Sequence, residues 1–543
     1  MGMLDEAAQS PPDVLARELP SNAALLTVDI LLRRAARSHA ARPAVIDEDR
    51  TLSYAELDAE TDAFACALLA LGVRKGDRLG LLLLNQWQFF VAYFAVARLG
   101  AVVVPINHRL VPSEIDYQLS RASCSVLIYA SDFEEVVEVL DTSRFVRIPA
   151  GGELSAAARG SLEELVGRYR GQQPRPSWSV LAEDPNGVWF TSGTTGLPKG
   201  ATTTHASALW AANALALSVG LSERHRLLGT APLFHRGPME GLHLAGFLVG
   251  APHVLLRRFD AGDMLRMIEK HRITHAFIVP TMTSLVLGRP DRADYDLSSI
   301  EGWFSASARL PGIYRDRLVA ETSLRPDRVF DAYGITESLL ITMLHPLDAG
   351  LRPESVGCPV PGVLLQIVDA ERKEVTAGTI GEISVAAPSI ASGYLGMPEE
   401  WAAVTFAQDG RTWYCSGDLG FVDEEGFLHL VDRAKDMVVT GGENVYSAEV
   451  ERVLSDVPGV ADVAVIGMPH ERWGEAVTAV VVREPGPVVT EEELLAYCEH
   501  RLAAYKRPRT TVFVDVLPRN SFGKIQKQRI RELLGGERTR EKG

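Results

Sequence analysis

The densest group of residues that could bind a ligand lies at residues 191–200, which read TSGTTGLPKG and follow an apolar segment. Glycines let backbone N–H groups approach a ligand closely, hydroxyl groups donate hydrogen bonds, and a lysine adds a positive charge. The combination predicts a phosphate-binding loop, although a Ser/Thr/Gly-rich surface loop has a similar composition. The order differs from the Walker motif, so the templates of P-loop kinases and GTPases do not apply. The candidate phosphate-binding residues are Thr191, Ser192, Gly193, Thr194, Thr195, Gly196 and Lys199.

Five further motifs follow this loop along the chain. They are Tyr333-Gly-Ile-Thr-Glu337, Gly381-Glu382 with Gly393-Tyr394, Tyr414-Cys-Ser-Gly-Asp418, Asp432-Arg433 with Gly441-Gly-Glu-Asn-Val-Tyr446, and Pro518-Arg-Asn-Ser-Phe-Gly-Lys524. With the loop, they resemble the motifs of the adenylate-forming superfamily, which includes acyl-CoA synthetases, adenylation domains of peptide synthetases and luciferases. Ser416 replaces a threonine of the superfamily pattern. Six motifs in the same order across residues 191–524 exclude a chance match.

The resemblance implies an enzyme that joins a carboxylic acid to the AMP part of ATP, releases pyrophosphate and passes the acyl group to a thiol. Its implied catalytic residues are Lys524, Glu337 and His235. Lys524 would bind the carboxylate and α-phosphate oxygens, and Glu337 would bind Mg²⁺ together with a loop threonine, Thr191 or Thr194. His235 would separate the ATP and acyl sites. The simpler alternatives are a solvated tail lysine, a surface glutamate and a core histidine.

The same resemblance implies where the nucleoside binds. Tyr333 would stack on adenine, with Gly334 and Thr336 beside it. Asp418 would accept hydrogen bonds from both ribose hydroxyls, since a carboxylate suits two donors, and Arg433 would lie nearby. Tyr333 as a core residue and Arg433 as a surface arginine are the alternatives.

The thiol is expected to be coenzyme A. The segment Pro232-Leu-Phe-His235 resembles acyl- and aryl-CoA synthetases rather than the FDxS-type box of peptide synthetases, and no carrier-protein domain follows Lys524. The resemblance places Gly441, Gly442 and Glu443 on the CoA side. It also implies that the C-terminal domain swings about a hinge at Asp432, which brings first Lys524 and then this loop to the substrates.

One segment departs from the superfamily pattern. Residues 305–311 read SASARLP where relatives commonly have TGGAPxP, so side chains replace two glycines and Arg309 replaces a proline. Neutral drift is one explanation, and an altered acyl pocket or weakened use of ATP is the other. The residues expected to line the acyl pocket are His235, Arg236, Glu240, Ala306, Ser307, Ala308 and Ile335.

The sequence alone leaves three possible functions open. The favoured one is an ATP- and Mg²⁺-dependent acid–CoA ligase. The second is a ligase that has weakened or lost adenylation and transfers an acyl group from a supplied acyl-adenylate to CoA. The third is a non-catalytic nucleotide- or acyl-binding paralogue, which the presence of Lys199, Glu337 and Lys524 disfavours. The sequence identifies neither the acid nor whether the chain forms a homodimer.

Hydrophobic patterning predicts an α/β fold in two domains. Short apolar strands alternate with helices through the first 350 residues, which indicates βαβ units, and a β-rich subdomain follows. A compact α+β pattern begins after Asp432. We therefore expect a large N-terminal domain at 1–431 with the ATP and acyl sites and a smaller mobile domain at 433–543 with the catalytic lysine. The charged end, 535–543, is expected to be disordered.

Composition narrows the possible partners and the location. The chain has 543 residues, 46% of them hydrophobic, and a net charge of −15, which argues against nucleic-acid binding. The five cysteines form no CxxC pair, so reduced thiols in a cytoplasm are expected. The N-terminus lacks signal-peptide features, and Arg98, Gly100 and Pro105 interrupt the most apolar stretch, so no membrane span is predicted.

Overall fold

The computed structural model describes residues 22–48, 50–151, 160–191, 198–441, 443–470, 472–486, 489–499, 501–519 and 524–540. The strands in these ranges form four sheets. Two of the sheets are large, a β-rich sheet follows them along the chain, and the fourth sheet belongs to the C-terminal part. This arrangement confirms the predicted α/β class.

The largest sheet has nine strands in the described part of the chain, and its centre is parallel. The central strands are nearly all apolar because both faces of the sheet are covered. In sheet order the strands are Cys358–Pro359, Leu339–Leu344, Val329–Ile335, Gly302–Ser305, His275–Ile278, Leu227–Gly229, His253–Leu255, Pro43–Ile46 and Thr51–Ser53.

The second large sheet has seven described strands and includes, next to its edge strand Gly393–Tyr394, the hairpin that flanks the predicted phosphate loop. Its core is parallel and buried, as the run of valines and leucines predicted. In sheet order the strands are Gly393–Tyr394, Lys199–Thr204, Pro185–Thr191, Val102–Pro105, Arg78–Leu82, Val126–Ala130 and Val146–Ala150.

Helices pack on these sheets, and the helix Trp87–Arg98 is buried along its whole length. One segment, Gly237–His243, is a π-helix that continues into an α-helix; π-helical turns are rare and often lie at functional sites. The α-helices of this part are Asp29–Ser38, Tyr54–Ala70, Trp87–Arg98, Pro112–Arg121, Glu134–Glu138, Leu162–Arg168, His205–Ser218, Leu244–Val249, Ala261–His271, Pro280–Leu287, Gly312–Glu321, Pro346–Ala349 and Pro398–Ala403.

The β-rich subdomain is a five-stranded antiparallel sheet in the described residues, which confirms the pattern expected after residue 350. Its long central strand pairs with the last strand before the C-terminal part, and this pairing aligns Asp418 with Arg433. The strands are Leu364–Val368, Gly381–Ala386, Thr405–Gln408, Arg411–Val422 and Leu428–Arg433.

The C-terminal part combines a five-stranded described sheet with three α-helices in the ranges given above. The strands are Val438–Thr440, Glu443–Val445, Val460–His470, Gly474–Arg483 and Thr510–Val514, and the helices are Ser447–Ser455, Glu491–Glu499 and Lys527–Arg540.

The expectation of a disordered C-terminal end was wrong as far as residue 540, because the helix Lys527–Arg540 reaches that position. Its first turns are anchored: Ile530 is buried against the sheet, and Lys527 forms an ion pair with Glu451. Residues 541–543 lie outside the described ranges. All five cysteines are free thiols. Among the helices of the described chain, none has the length and apolarity that crossing a bilayer requires.

Candidate active site

One large cavity, of about 1280 Å³, brings most of the predicted residues together. Strand ends of both large sheets, the β-rich subdomain and the C-terminal part all contribute to its wall. The predicted residues that line it are Thr191, Lys199, His235, Arg236, Ala306, Ser307, Tyr333, Gly334, Ile335, Thr336, Glu337, Asp418, Arg433 and Lys524.

Several predicted residues lie elsewhere. Glu240 is fully buried behind the wall and Ala308 is exposed on the turn after Ser307, so the assignment of these two to the acyl pocket is corrected. Gly441 and Glu443 lie at the edge of the C-terminal sheet, where the Gly441 N–H donates to the carbonyl of Trp473 at 2.8 Å. The predicted residues Ser192, Gly193, Thr194, Thr195, Gly196 and Gly442 lie outside the described residues.

The flanks of the phosphate loop are fixed by strand pairing. Thr191 ends one strand, Lys199 begins the next, and the two residues are direct partners in the antiparallel ladder. The Thr191 hydroxyl donates to the Lys199 carbonyl at 3.4 Å. A hydroxyl and an ammonium group therefore stand side by side on the cavity wall.

Tyr333, Asp418 and Arg433 form one contiguous polar group. The Tyr333 hydroxyl donates to Asp418 Oδ2 at 2.8 Å, and Arg433 Nε lies 3.2 Å from Asp418 Oδ1. Burial and the adjacent Asp418 carboxylate raise the pKa of Tyr333, so its hydroxyl keeps its proton. The carboxylate is thus held on both sides while it still faces the cavity, as a hydroxyl-binding group requires.

The turn that carries Glu337 depends on a glycine. The ladder between residues 329–335 and 339–344 contains a bulge at Tyr333/Gly334, and Leu339 has a φ of 68°. A Cβ atom on Gly334 would lie 1.8 Å from the Leu339 carbonyl oxygen, so no other residue fits without moving the backbone. This close approach explains the glycine in the Tyr333–Glu337 motif.

Glu337 is buried and is held by tyrosines. The Tyr394 hydroxyl donates to its Oε1 at 2.7 Å, and the hydroxyls of Tyr394 and Tyr414 are 3.0 Å apart. Burial and the Glu337 charge raise the pKa of both tyrosines. Lys199 Nζ lies 5.1 Å from the Tyr394 ring centre. The sequence analysis did not assign Tyr394 and Tyr414 to the site, although both stand within the matched motifs.

The chemistry of the Glu337 surroundings fits Mg²⁺. A carboxylate and the Thr191 hydroxyl offer the hard oxygen donors that this ion prefers. No lysine, arginine or histidine among the described residues forms an ion pair with Glu337, although it is buried. A buried carboxylate of this kind is suited to a bound cation.

His235 ends a rigid loop. The Asn85 side chain accepts from the Leu233 N–H at 2.9 Å and donates to the carbonyls of Gly229 and Ala231. Burial, aided by the positive charge of Arg109, holds the pKa of His235 well below its ordinary value, so the ring is neutral. The Phe234 ring lies 4.2 Å from it, centre to centre. A neutral aromatic ring is appropriate for a wall between a charged site and an apolar one.

Lys524 lines the same cavity, close to Asp418 and Arg433. Solvent reaches part of this side chain. The surrounding protein nevertheless desolvates the ammonium group, and this desolvation together with the positive charge of Arg433 lowers the pKa of Lys524 to about 8. Asp418 and Asp436 oppose that shift. The lysine is therefore poised between its charged and neutral forms near the physiological pH range.

This pKa predicts a pH dependence. If Lys524 must be protonated to bind the acid and phosphate oxygens, kcat/KM for adenylation falls as pH rises through about 8, approaching tenfold per further pH unit. Lys524→Arg keeps the charge at all these pH values and should remove the decline. An equal decline in wild type and Lys524→Arg, measured from pH 6.5 to 10, would assign the titration to another group.

The divergent segment does not add charge to the acyl pocket. Arg309 is not among the cavity-lining residues; its Nη1 donates to Glu354 Oε2 at 2.7 Å, and both side chains are partly exposed. If the acyl pocket is altered at this segment, the charge of Arg309 is therefore not the cause. Ala306 and Ser307 do line the cavity, and Ser307 has a φ of 71°, in the left-handed region that favours glycine.

We expect Ser307→Gly to stabilise the protein. A non-glycine residue in the left-handed region costs roughly 1–2 kcal/mol, and the added chain entropy of glycine offsets part of this, so the free energy of unfolding should rise by about 0.5–1 kcal/mol. Ala306→Gly is the matched control, because Ala306 has no positive φ, and it should lower stability. Equal losses for both variants in denaturant titrations would contradict the strain at Ser307.

Comparison with known proteins identifies a family whose name fits the nucleotide-binding character of this cavity. A model of the AMP-binding enzyme family matches residues 32–395, and a model of the AMP-binding enzyme C-terminal domain matches residues 449–524. The chain belongs to the AMP-binding enzyme family, and the resemblance to the adenylate-forming superfamily is confirmed.

Relatives of known activity span nearly the whole chain. A feruloyl-CoA synthase from Amycolatopsis sp. is 37% identical over 92% of this chain and 98% of its own length. A methyl-dioxo-octahydro-indenyl-propanoyl:CoA ligase from Mycobacterium tuberculosis is 37% identical over 94% and 99%. Among solved structures, the o-succinylbenzoate CoA synthetase of Bacillus subtilis with ATP and magnesium ion matches with a TM-score of 0.80, 30% identity and coverage of 92% and 99%.

Proposed function

We propose that this protein is an AMP-forming acid–CoA ligase whose adenylation site is the cavity described above. The observation that carries the proposal is that Lys199, Glu337, Asp418 and Lys524, which come from four distant motifs, face one cavity. A phosphate-binding cation, a metal carboxylate, a hydroxyl-binding carboxylate and a cation for the reacting groups are what acyl-adenylate formation requires.

In the first half-reaction a carboxylate oxygen of the acid attacks the α-phosphorus of ATP, the bond to the β-phosphate breaks, and pyrophosphate leaves. Lys199 and the residues after Thr191 bind the β- and γ-phosphates. Asp418, oriented by Tyr333 and Arg433, accepts the ribose hydroxyls. Lys524 contacts the carboxylate and α-phosphate oxygens, where negative charge gathers in the transition state.

The metal would be held by Glu337 and Thr191. Mg²⁺ there would neutralise negative charge on the phosphoryl oxygens and so reduce the repulsion of the incoming carboxylate. Tyr394 keeps the Glu337 carboxylate in place through its 2.7 Å hydrogen bond.

In the second half-reaction the CoA sulfur attacks the acyl carbon, and AMP leaves. We assign Asp432 as the hinge between domains 1–431 and 433–543. Its carboxylate accepts from Ser447 Oγ at 2.7 Å and from the Ala448 N–H at 3.3 Å, so it joins the last N-terminal strand to the first C-terminal helix. Rotation of the C-terminal domain about Asp432 would move Lys524 away from the cavity and bring the loop 441–443 to it for thiol transfer.

The aromatic residues that line the cavity favour a carboxylic acid that carries rings. Aromatic side chains, including Trp189, Phe277 and Phe304, line the cavity, and the helical segment 237–243 contributes two glycines, Gly237 and Gly241, to its wall. A Cβ on Gly237 would approach the Phe277 ring at 3.2 Å. The feruloyl and indenyl-propanoyl names of the two relatives fit the same class. The five free thiols support a cytoplasmic location, where thiols are kept reduced.

The test is a panel of phenylpropenoic, indole, polycyclic and linear aliphatic acids, each incubated with ATP, Mg²⁺ and CoA. We expect acyl-CoA and AMP in equal amounts, with kcat/KM greatest for a ring-bearing acid. A preference for long linear acids would contradict the acid class but not the ligase. Absence of acyl-CoA for every acid, with folded protein, would contradict the proposed function.

A further inference from the structure

Arg236, which lines the cavity, forms a buried ion pair with Glu240, which lies behind the cavity wall. Arg236 Nε lies 2.7 Å from Glu240 Oε2, and the side chains are 1% and 0% exposed. Removing both charges from water is costly, and such a pair is seldom more stable than apolar side chains of similar volume. Its presence beside the site therefore suggests a role other than stability.

The remaining contacts of Arg236 go to the surroundings of Glu337. Nη1 donates to the carbonyl of Thr336 at 2.6 Å, and Nη2 donates to the carbonyl of Ser389 at 2.9 Å. Thr336 immediately precedes Glu337 in the chain. The segment after Ser389 also holds Glu337, because the Ala391 N–H donates to its carbonyl at 2.7 Å and the Tyr394 hydroxyl to its carboxylate. One guanidinium thus fixes both segments that position the metal carboxylate.

Glu240 connects this group to the hairpin that carries the phosphate loop. Its Oε1 accepts from Thr203 Oγ1 at 3.2 Å and from Asn186 Nδ2 at 3.3 Å. Asn186 and Thr203 lie on the two strands that lead to Thr191 and from Lys199. A rigid chain of contacts therefore runs from the phosphate-loop hairpin through Glu240 and Arg236 to the Thr336–Glu337 peptide.

We propose that Arg236 and Glu240 are positioning residues for adenylation, which set the metal carboxylate at a fixed distance from the phosphate loop. Neither residue touches the reacting atoms in this account. The inference rests on the proposed function, because Glu337 has a metal to bind only if the cavity takes MgATP. It also explains why two charged residues follow His235 in a wall that otherwise suits an apolar acyl group.

The decisive variant is the double substitution Arg236→Met with Glu240→Leu, which removes both charges and keeps most of the volume. It should fold, because no charge is left buried alone. We expect MgATP affinity, measured by calorimetry without acid, to fall about 10–100-fold, since loss of the groups that orient a metal ligand typically costs this much in metal affinity. KM for the acid should change less than threefold, and CoA transfer from a supplied acyl-adenylate should be retained.

Two single variants keep the test sharp if the double variant does not fold. Arg236→Lys retains the charge opposite Glu240 but cannot reach all three acceptors, so it should lose part of the MgATP affinity. Arg98→Lys is the matched control: Arg98 is equally buried and pairs with Asp29, Asp58 and Asp62, far from the cavity lining. We expect Arg98→Lys to lower thermal stability without changing MgATP affinity.

Three outcomes would overturn the inference. Wild-type MgATP affinity in the folded double variant or in Arg236→Lys would reduce the pair to a structural element. A raised acid KM with unchanged MgATP binding would make Arg236 an acyl-pocket residue. Equal losses in Arg98→Lys would show a general effect of weakened packing. Failure of the proposed function is separate, since wild-type protein would then bind MgATP without forming acyl-CoA.

Discussion

Lys524→Ala will lower the rate of acyl-adenylate formation by about 10²–10³-fold, or roughly 3–4 kcal/mol, and will spare thiol transfer. The reason is that Lys524 lines the cavity next to Asp418 and Arg433, where charge gathers on the carboxylate and α-phosphate oxygens. Transfer to CoA from a supplied acyl-adenylate follows the proposed domain rotation, so it should fall far less. Single-turnover measurements of the two half-reactions check this.

The control for that prediction is Arg529→Ala. Arg529 is a cation five residues further along the same terminal segment, but it is exposed, pairs with Glu532 and does not line the cavity. Both half-reactions should proceed at wild-type rates in this variant. Equal losses in the two half-reactions of Lys524→Ala would contradict the assignment of Lys524 to adenylation.

Glu337→Gln should raise the Mg²⁺ concentration needed for half-maximal adenylation by about 10²-fold or more. The amide keeps the shape of the side chain and can still accept the hydrogen bond from Tyr394, but it lacks the negative charge that attracts the cation. The measurement is the adenylation rate over a Mg²⁺ titration at fixed ATP concentration.

Glu354→Gln provides the comparison for Glu337→Gln, because Glu354 lies on the surface, pairs with Arg309 and is absent from the cavity wall. Its Mg²⁺ dependence should match that of the wild type. If Glu337→Gln also kept the wild-type Mg²⁺ dependence, the metal would have to be bound by other groups.

The sequence alone was sufficient to identify candidate site residues that belong to a local motif. The motif from Tyr333 to Glu337 identified both residues, and the structure places them on the same cavity. The apolar segment before Thr191 was likewise identified, and the structure shows it as a strand that pairs Thr191 with Lys199. Such features depend on neighbours in the chain, which a sequence displays directly.

Contacts between distant segments were not predictable in the same way. Glu240 was assigned to the acyl pocket, yet it turns toward Asn186 and Thr203, which lie tens of residues earlier in the chain. The sequence could not show which way the Arg309 side chain faces, because its ion-pair partner Glu354 lies 45 residues later in the chain. Composition alone did not indicate that Ile530 would anchor a terminal helix against the C-terminal sheet.

The structure partly explains why residues 305–311 can differ from the superfamily pattern. Ser307 has a backbone φ of 71°, so this position has a conformation that favours glycine although the residue is a serine. The segment contributes the side chains of Ala306 and Ser307 to the cavity lining, whereas Arg309 pairs with Glu354 and is not part of that lining.

The most direct measurement of the central claim is the exchange of labelled pyrophosphate into ATP, made without CoA and with each acid of the panel in turn. The account predicts exchange that requires the acid and Mg²⁺ and that falls about 10²–10³-fold in Lys524→Ala. It also predicts that CoA then converts the same acid to its thioester. Exchange that is absent for every acid, while CoA transfer from a supplied acyl-adenylate proceeds, would contradict the claim that this cavity forms the acyl-adenylate.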